Sequence, residues 1–563
     1  MPLDGHPGGG GTNRSGEPPH RAPCVGDVRW RGAARCRSWH ALAASIALAW
    51  NVGTSMAQYP VVPKWDAAVR ELRRATHYSK DGVHHSLLVS LRQLRDPALK
   101  PLFQSLVQAE YWSMQVDGVF GLAELDPKGV LDPFLLAQVK SPTDRSAAIA
   151  AAIQLGMVDR DQATAILAWE NLSSRDRVLL WAEIKRRGGD VDAAAVQKLS
   201  QDQDAEIAGL AGFLLASPTA TDALATVTSR LASLTPKERA SALVGLAAAA
   251  ATFELKSAVP FFDGVLRDTA LPPDARLACV AALLSLDSER GFAAWKSAIE
   301  GSTTQSQRVR LALALLTANF TLPKGASAPL RAIGGAGEAA PDPLIGRLAD
   351  ALDALASGDV HTAFPALIAT RHRASLAAAL VASKRLDTES QKATYAAFAD
   401  LAAGKNDDAI AATTRDLCLE ALTRLATLDP NAIGARLEQA TGDESLADLL
   451  MMSLYGAGTK EASTVADAHR ATASKGSASV ALLLRARHAE RLTTNELEEL
   501  GTIAAGGSPL DASLQIQAAW LYARHAGKAD QTIAAVLAPD APNGPGANRD
   551  PTNDGTTRET RRP

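Results

Sequence analysis

Apolar residues recur along this chain at the spacing of an amphipathic helix, and similar helical segments return at a nearly constant interval. The stretch "PDARLACVAALLSLD" begins at Pro273, and "TQSQRVRLALALLTAN" begins at Thr304. Apolar positions three and four residues apart lie on one face of a helix. A turn-forming residue and a second amphipathic stretch follow each segment, which predicts a repeating unit of two helices joined as a hairpin.

The repeat extends over most of the chain. One hairpin cannot bury its own apolar face, whereas stacked copies bury a continuous core. The pattern therefore predicts an all-α protein, a right-handed α-solenoid (α-α superhelix) of about thirteen stacked helical hairpins between residues 85 and 537. The repeated segments begin at Ser113, Asp144, Ser174, Asp204, Glu238, Pro273 and Thr304, and then less regularly at Ala374, Asp416, Ser445, Ala478 and Ser513.

A stretch rich in Pro, Gly and Ala interrupts the array at residues 322–343. We expect it to be a linker or an irregular repeat that separates two solenoid segments, residues 58–321 and residues 344–537. The C-terminal residues 538–563 have very little apolar content and are predicted to be a disordered tail.

Residues 1–57 are predicted to be a disordered extension followed by a signal peptide. The first residues are rich in Gly and Pro. A basic stretch then precedes a short apolar core at 41–50, and small residues lead to a cleavage site after Ala57. Ten apolar residues are too few to span a bilayer, so no integral membrane span is expected. Export to the periplasm or the exterior of a bacterial cell follows; the alternatives are that this stretch is the first solenoid helix, or that the protein is a cytoplasmic scaffold.

One pattern of residues recurs in the second helix of several units. It comprises Asp274, Arg276, Ala281, Ala282 and Leu283 in one unit, Val309, Arg310, Ala312, Ala314 and Leu315 in the next, and part of residues 416–429. The pattern echoes "D-x-x-V-R-x-x-A-x-x-A-L" of the HEAT-like repeats, and the helices resemble that family, particularly the short bacterial type that also occurs in phycobilin lyases. The Gly that often closes the family helix is usually missing here. The resemblance implies a curved α-solenoid that presents a surface to a partner, and it implies no reaction.

Charge argues against nucleic acid as the partner. Beyond residue 57 the chain holds 52 Lys and Arg against 58 Asp and Glu, and a mildly acidic body is a poor nucleic-acid binder. The run Lys185-Arg186-Arg187 is expected to end a helix, where cations suit the helix dipole.

Sequence motifs predict no catalytic, cofactor-binding or metal site, and no cofactor. No phosphate-binding loop, nucleophile elbow or metalloprotease helix motif occurs in the chain. "GAGEAA" from Gly335 formally fits a dinucleotide fingerprint, but no predicted strand precedes it, so we interpret it as flexible linker. Arg371 to Arg373 is interpreted as a polar helix start rather than an anion site.

Three histidines lie close together in "HYSKDGVHHSL", namely His77, His84 and His85. Two of them could reach one metal ion, but a third strong ligand is missing, and adjacent side chains diverge on a helix. We therefore expect solvated or capping histidines.

Cys279 and Cys418 lie in apolar helical runs and are expected to be buried thiols. Ala281 lies in the same run as Cys279 and is expected to be packed, so that an Asp in its place would bury an unpaired charge.

Two aromatic pairs stand out in an alanine-rich chain, Tyr111-Trp112 and Phe261-Phe262. Each is interpreted either as filler between helices or as an anchor for a partner, because aromatic residues dominate binding hot spots. The sequence thus predicts an exported, non-enzymatic scaffold with at least one protein partner. The alternative is an enzyme or enzyme subunit, lyase-like, that uses the solenoid as a binding cradle.

Overall fold

The protein is entirely helical over the residues that its structure, a computed structural model, describes. No β-strand occurs among those residues, so the all-α prediction is confirmed. The predicted signal peptide, the motif from Gly335 and most of the predicted C-terminal tail lie outside them. The structure describes residues 64–538 except 140, 217–221, 335–341, 359, 404–407 and 441.

The described residues form the α-helices α1 to α29, with four short 3-10 turns between some of them. The first sixteen helices are α1 (Lys64–Thr76), α2 (Val83–Gln93), α3 (Lys100–Val107), α4 (Trp112–Leu125), α5 (Pro133–Ala137), α6 (Pro142–Gln154), α7 (Arg160–Leu167), α8 (Ser174–Arg186), α9 (Ala193–Leu199), α10 (Ala205–Leu215), α11 (Asp222–Ala232), α12 (Pro236–Thr252), α13 (Val259–Leu266), α14 (Pro273–Leu286), α15 (Ser288–Glu300) and α16 (Gln305–Thr317).

The remaining helices complete the chain up to residue 537. They are α17 (Ala328–Gly334), α18 (Pro343–Ser357), α19 (Ala363–Ile368), α20 (Arg373–Ala382), α21 (Thr388–Ala403), α22 (Asp408–Leu428), α23 (Pro430–Gln439), α24 (Glu444–Ala457), α25 (Lys460–His469), α26 (Lys475–His488), α27 (Thr494–Ala504), α28 (Ala512–His525) and α29 (Ala529–Leu537).

Local sequence explains where many of these helices begin. Ser173 caps α8 by accepting a hydrogen bond from the backbone of Asp176, whose carboxylate accepts one from Ser173 in return. Thr235 and Glu238 form the same reciprocal pair at the start of α12. Such capping boxes satisfy backbone N–H groups that have no partner inside the helix.

The even-numbered helices pack side by side in chain order. Each one from α2 to α16 packs against the next even-numbered helix, and the same holds from α20 to α28. The odd-numbered helices lie against this row, mainly in contact with their even-numbered neighbours. The order departs from this rule at α18, because α16 packs directly against α20 as well as against α18.

Arg385, just beyond α20, explains how α16 and α20 are joined. Its guanidinium donates hydrogen bonds to the backbone carbonyls of Leu316, at 2.9 Å, and of Ala318. These carbonyls at the end of α16 would otherwise have no partner. Burial lowers the pKa of Arg385.

The first helices pack against the last ones, which a linear array of hairpins does not require. α1 packs against α27, α28 and α29, and α2 packs against α28. The indole of Trp65 donates to the hydroxyl of Thr532 at 3.0 Å, and Arg73 donates to the carbonyl of Ala535 at 2.7 Å. The series of helix contacts therefore closes on itself.

A buried carboxylate holds this closure together. Asp96 accepts hydrogen bonds from the indole of Trp520 at 2.8 Å and from Arg524 at 3.0 Å. Nearby, Gln517 donates to the carbonyl of Ser90 at 2.8 Å. Since these partners are more than 420 positions apart in the chain, no local sequence pattern could reveal them.

The hydrophobic core is continuous across both the closure and the predicted interdomain break. One buried cluster runs from residue 107 to residue 286. The other begins at Val280, continues to Val536 and includes the first helices, from Ala68 to Met114. Within the stretch predicted to be a linker or irregular repeat, α17 is helical and Leu330 is fully buried.

Burial was predicted correctly for two cysteines but not for Ala281. Cys279 and Cys418 are buried free thiols, as expected, and burial raises the pKa of each to about 12. Ala281 is exposed, so the expectation that it is packed was wrong. It lies on the solvent side of α14, whereas its neighbour Ala282 is buried.

Candidate interaction surface

Four exposed aromatic and apolar residues cluster where α2 and α4 begin, and we call them the aromatic patch. Tyr78 and Tyr111 stack with ring centroids 4.0 Å apart and planes at 10°, yet each is 43% exposed. Trp112 and Val83 are each 37% exposed. Large rings in this position offer contact area that the fold itself leaves unused.

Chain geometry brings the patch together. α2 and α4 are neighbours in the even-numbered row, and the loops that precede both helices meet at the same end. Gly82 precedes α2 with φ 75°, a left-handed conformation that glycine adopts without strain. Tyr111 occupies the corresponding position before α4.

His84 supports the patch from beneath. The backbone N–H of Ser79 donates to its Nδ1 at 3.2 Å, so Nε2 carries the proton and donates to the hydroxyl of Ser113 at 2.9 Å. The ring lies 5.2 Å from that of Tyr78. Burial lowers the pKa of His84, which suits this neutral form.

A buried charge network, formed by His85, Arg92, Asp117 and Glu124, joins α2 to α4. His85 Nδ1 donates to Asp117 at 2.8 Å, and Arg92 donates to the other oxygen of Asp117 at 3.0 Å. Arg92 also donates two hydrogen bonds to the carboxylate of Glu124, from Nε at 3.0 Å and from Nη2 at 2.6 Å. Asp117 is completely buried, so its charge requires these partners.

Charge balance favours a proton on His85. Two carboxylates face a single guanidinium, and a protonated imidazole neutralises the remaining negative charge. The hydrogen bond to Asp117 raises the pKa of His85 accordingly. Its side chain is 58% exposed, and none of the described residues bonds its Nε2, so this atom is available to solvent or to a ligand.

The three histidines do not converge. His84 and His85 face different partners, as expected, and His77 bonds the carbonyl of Arg73 at 2.7 Å. The expectation of solvated or capping histidines was wrong for His84, which is buried. Over the described part of the chain, no three His, Cys, Asp or Glu side chains are placed to share a metal ion.

The two aromatic pairs have different roles. Phe261 and Phe262 are buried and pack against Phe213, with ring centroids 5.2 and 5.7 Å away, so they fill the core. Tyr111 and Trp112 are exposed and remain candidates for binding.

The basic runs singled out in the sequence have partners inside the fold. Arg186 and Arg187 end α8 and pair with the buried carboxylate of Glu183. Arg373 begins α20 and pairs with Asp416 on α22. These contacts account for both runs structurally.

Polar side chains link neighbouring helices of the even-numbered row at two places. Arg310 on α16 donates to Asp274 on α14 at 2.5 Å, and both residues belong to the recurring pattern noted in the sequence. Ser146 on α6 donates to Asp176 on α8 at 2.5 Å.

A small cavity of about 20 Å³ lies between α8, α10 and α12. Glu206 lines it opposite Arg175, and burial raises the pKa of Glu206. A Cβ added to Gly245 would come within 2.5 Å of the Glu206 carboxylate, so this glycine makes room for it. The volume suits a water molecule rather than an organic ligand.

Sequence reasoning missed most of the buried charge network and Tyr78. Arg92 and Asp117 are 25 positions apart and meet only because α2 packs against α4. One signal was present, because Asp117 lies between Val116 and the uncharged stretch from Gly118 to Ala123 in "SMQVDGVFGLAELD". A buried acid at such a position implies a buried partner.

No helix in the described ranges combines the length and apolar character needed to cross a membrane. No protein-family model, no curated protein and no solved structure matches this chain.

Proposed function

We propose that this protein is an exported, HEAT-like repeat protein that acts as a non-enzymatic protein-interaction scaffold. The aromatic patch carries the proposal. In this interpretation the helices form a right-handed α-solenoid, supported by the packing of each even-numbered helix on the next along most of the row. The acidic body and the exposed rings both favour a protein rather than a nucleic acid as the partner.

The patch has the properties of a binding hot spot. Tyr and Trp are enriched at such spots because they bury a large area while ordering few torsions. Tyr78 and Tyr111 already stack on each other, so their rings are held before a partner arrives. The buried charge network fixes α2 against α4 below them, which keeps the surface rigid.

One observation favours the second candidate, an enzyme or enzyme subunit that uses the solenoid as a cradle. His85 is exposed, and a buried carboxylate orients its ring, as in acid–base catalysis. Under this alternative His85→Gln abolishes an activity while Trp112→Ala lowers substrate affinity. Under the scaffold proposal no activity is lost, and His85→Gln weakens partner binding only as far as it loosens the charge network that joins α2 to α4.

Site-specific photocrosslinking in the producing cells tests the scaffold. A photoreactive amino acid replaces Trp112 in one strain and Phe134 in another. Phe134 is a matched control because it is 73% exposed and follows the opposite end of α4. We expect a discrete crosslinked protein from position 112 and none from position 134. The same products from both positions, or none from either, would refute the patch as a partner surface.

The same samples test export. N-terminal sequencing of the purified protein is expected to begin at Gln58. An N terminus that still contains the apolar core at 41–50 would contradict cleavage after Ala57.

A further inference from the structure

Two exposed carboxylates flank the aromatic patch. Glu110 directly precedes Tyr111 and forms no bond with the described residues. Asp81 lies between Tyr78 and Val83 and accepts a hydrogen bond from the backbone of Val83 at 3.2 Å, which holds it beside the patch. Hydrogen bonding from Ser79 and Val83 lowers the pKa of Asp81, so it is ionised.

Several aromatic rings among the described residues have a Lys or Arg cation over them, whereas the rings of Tyr111 and Trp112 do not. The negative face of an aromatic ring attracts an ammonium or guanidinium group. No described Lys or Arg lies over Tyr111 or Trp112. Elsewhere, cations lie 5.1 to 5.9 Å from ring centroids in the pairs Arg92–Phe120, Arg145–Trp169, Arg424–Tyr395, Arg487–Tyr455 and Lys528–Trp65.

We propose that the aromatic patch receives an arginine side chain of the protein partner. Its guanidinium stacks on Trp112 or Tyr111 and pairs with Glu110 and Asp81. Arginine fits better than lysine because its planar group stacks on a ring and binds carboxylates through two N–H groups at once. This inference rests on the proposed scaffold function and specifies the chemistry of its contact.

The net charge of the chain favours a basic partner. The chain beyond residue 57 is acidic, which attracts basic partners over a distance of about 8–10 Å at moderate salt. Lys80 is exposed in the same loop and opposes a cation. Removing the charge of Lys80 is therefore expected to strengthen binding of a cationic side chain, whereas removing the charge of Glu110 is expected to weaken it.

Indole NMR of the ¹⁵N-tryptophan-labelled full chain measures this contact. Trp112→Phe assigns the Trp112 signal among the nine tryptophans. The probes are acetylated, amidated peptides Gly-Ser-X-Ser-Gly in which X is arginine, citrulline or glutamate. Citrulline has the shape of arginine without its charge. We expect the arginine peptide to shift the Trp112 signal with a Kd about fivefold lower than that of the citrulline peptide.

Variants of the flanking charges complete the experiment. Glu110→Gln is expected to weaken binding of the arginine peptide about threefold, and Lys80→Gln is expected to strengthen it. Phe134→Ala should leave it unchanged. Equal binding of the citrulline peptide, preference for the glutamate peptide, or an unmoved Trp112 signal would each overturn the cationic anchor.

Failure of this inference is distinguishable from failure of the scaffold. A crosslinked partner at position 112, together with equal binding of arginine and citrulline peptides, leaves the interaction surface standing and removes only the cationic anchor. Absence of any crosslink removes the proposed function itself.

Discussion

The interface between α2 and α4 and the interface between α14 and α16 each contain an acid–base pair, but the first pair is buried and the second is exposed. Between α2 and α4, Asp117 is fully buried and pairs with Arg92, whose side chain is 9% exposed. Between α14 and α16, Asp274 and Arg310 also pair, but their side chains are 72% and 47% exposed. A buried charge that loses its partner is costly, whereas an exposed pair contributes little. The first interface therefore depends on its charges and the second on its apolar residues.

The largest effect is expected from placing a charge in the apolar interface. Ala312 on α16 is fully buried, so Ala312→Asp should lower the free energy of unfolding by about 4 kcal/mol. Ala281→Asp is the control, because Ala281 is exposed and the change should cost only about 0.7 kcal/mol in helix propensity. Urea denaturation of both variants measures the difference. Equal losses would mean that α14 faces its neighbours differently.

Removing the charge of Asp117 should come next in size. Asp117→Asn removes the ion pairs that Asp117 makes with the buried Arg92 and with His85, and it should cost about 3 kcal/mol in urea denaturation. The matched change Asp274→Asn in the other interface should cost less than about 1 kcal/mol. Equal losses in the free energy of unfolding would show that the buried pair contributes no more to stability than the exposed pair.

The closure between the first and last helices also depends on a buried carboxylate, so removing that charge should lower the free energy of unfolding, by less than at Asp117. Asp96→Asn removes the charge that holds Arg524 and Trp520 and should cost about 2 kcal/mol. Hydrogen exchange should then quicken in α1 and α28 before it does in α14. Uniform exchange throughout the chain would show that the closure is no weaker than the rest of the row.

The smallest effect is a pH dependence that comes from His85. Because Asp117 raises its folded-state pKa, the stability it contributes is full below its unfolded pKa of about 6.5 and is lost as pH rises through the folded pKa. The stability difference between the wild type and His85→Gln should therefore shrink between pH 6 and pH 8.5. A difference that grows over this range would contradict a protonated His85. For His84→Gln the stability difference should instead grow as the pH rises toward about 6.5, since burial lowers the folded-state pKa of His84 below its unfolded value.

Part of this architecture was predictable because it depends on neighbours in the chain. Helical spacing of apolar residues indicated α14 and α16, and the all-helical class followed from it. The apolar runs around Cys279 and Cys418 correctly indicated burial. Helix α1 lies within the predicted solenoid segment 58–321 but before the hairpins, which were predicted only from residue 85, although Ala68, Val69 and Leu72 have helical spacing.

The candidate site was predictable only in fragments. Tyr111 and Trp112 were noted as aromatic, but burial of Phe262 and exposure of Trp112 depend on which face of each helix meets a neighbour. Likewise the spacing around Ala281 permitted either side of α14 to face the core. Small apolar residues on several sides of a helix leave its rotation undetermined until the neighbouring helices are in place.

Short-range order, namely the helices, their caps and the hairpin repeat, is determined by residues within one or two turns of each other, and the amino-acid pattern alone specifies it. The contact of α1 with α28 and the pairing of Asp117 with Arg92 were decided by the folded arrangement. Whether the two ends of the row meet depends on how all the helices between them pack, over more than 400 residues. No single repeat contains that information, whereas the packed structure does.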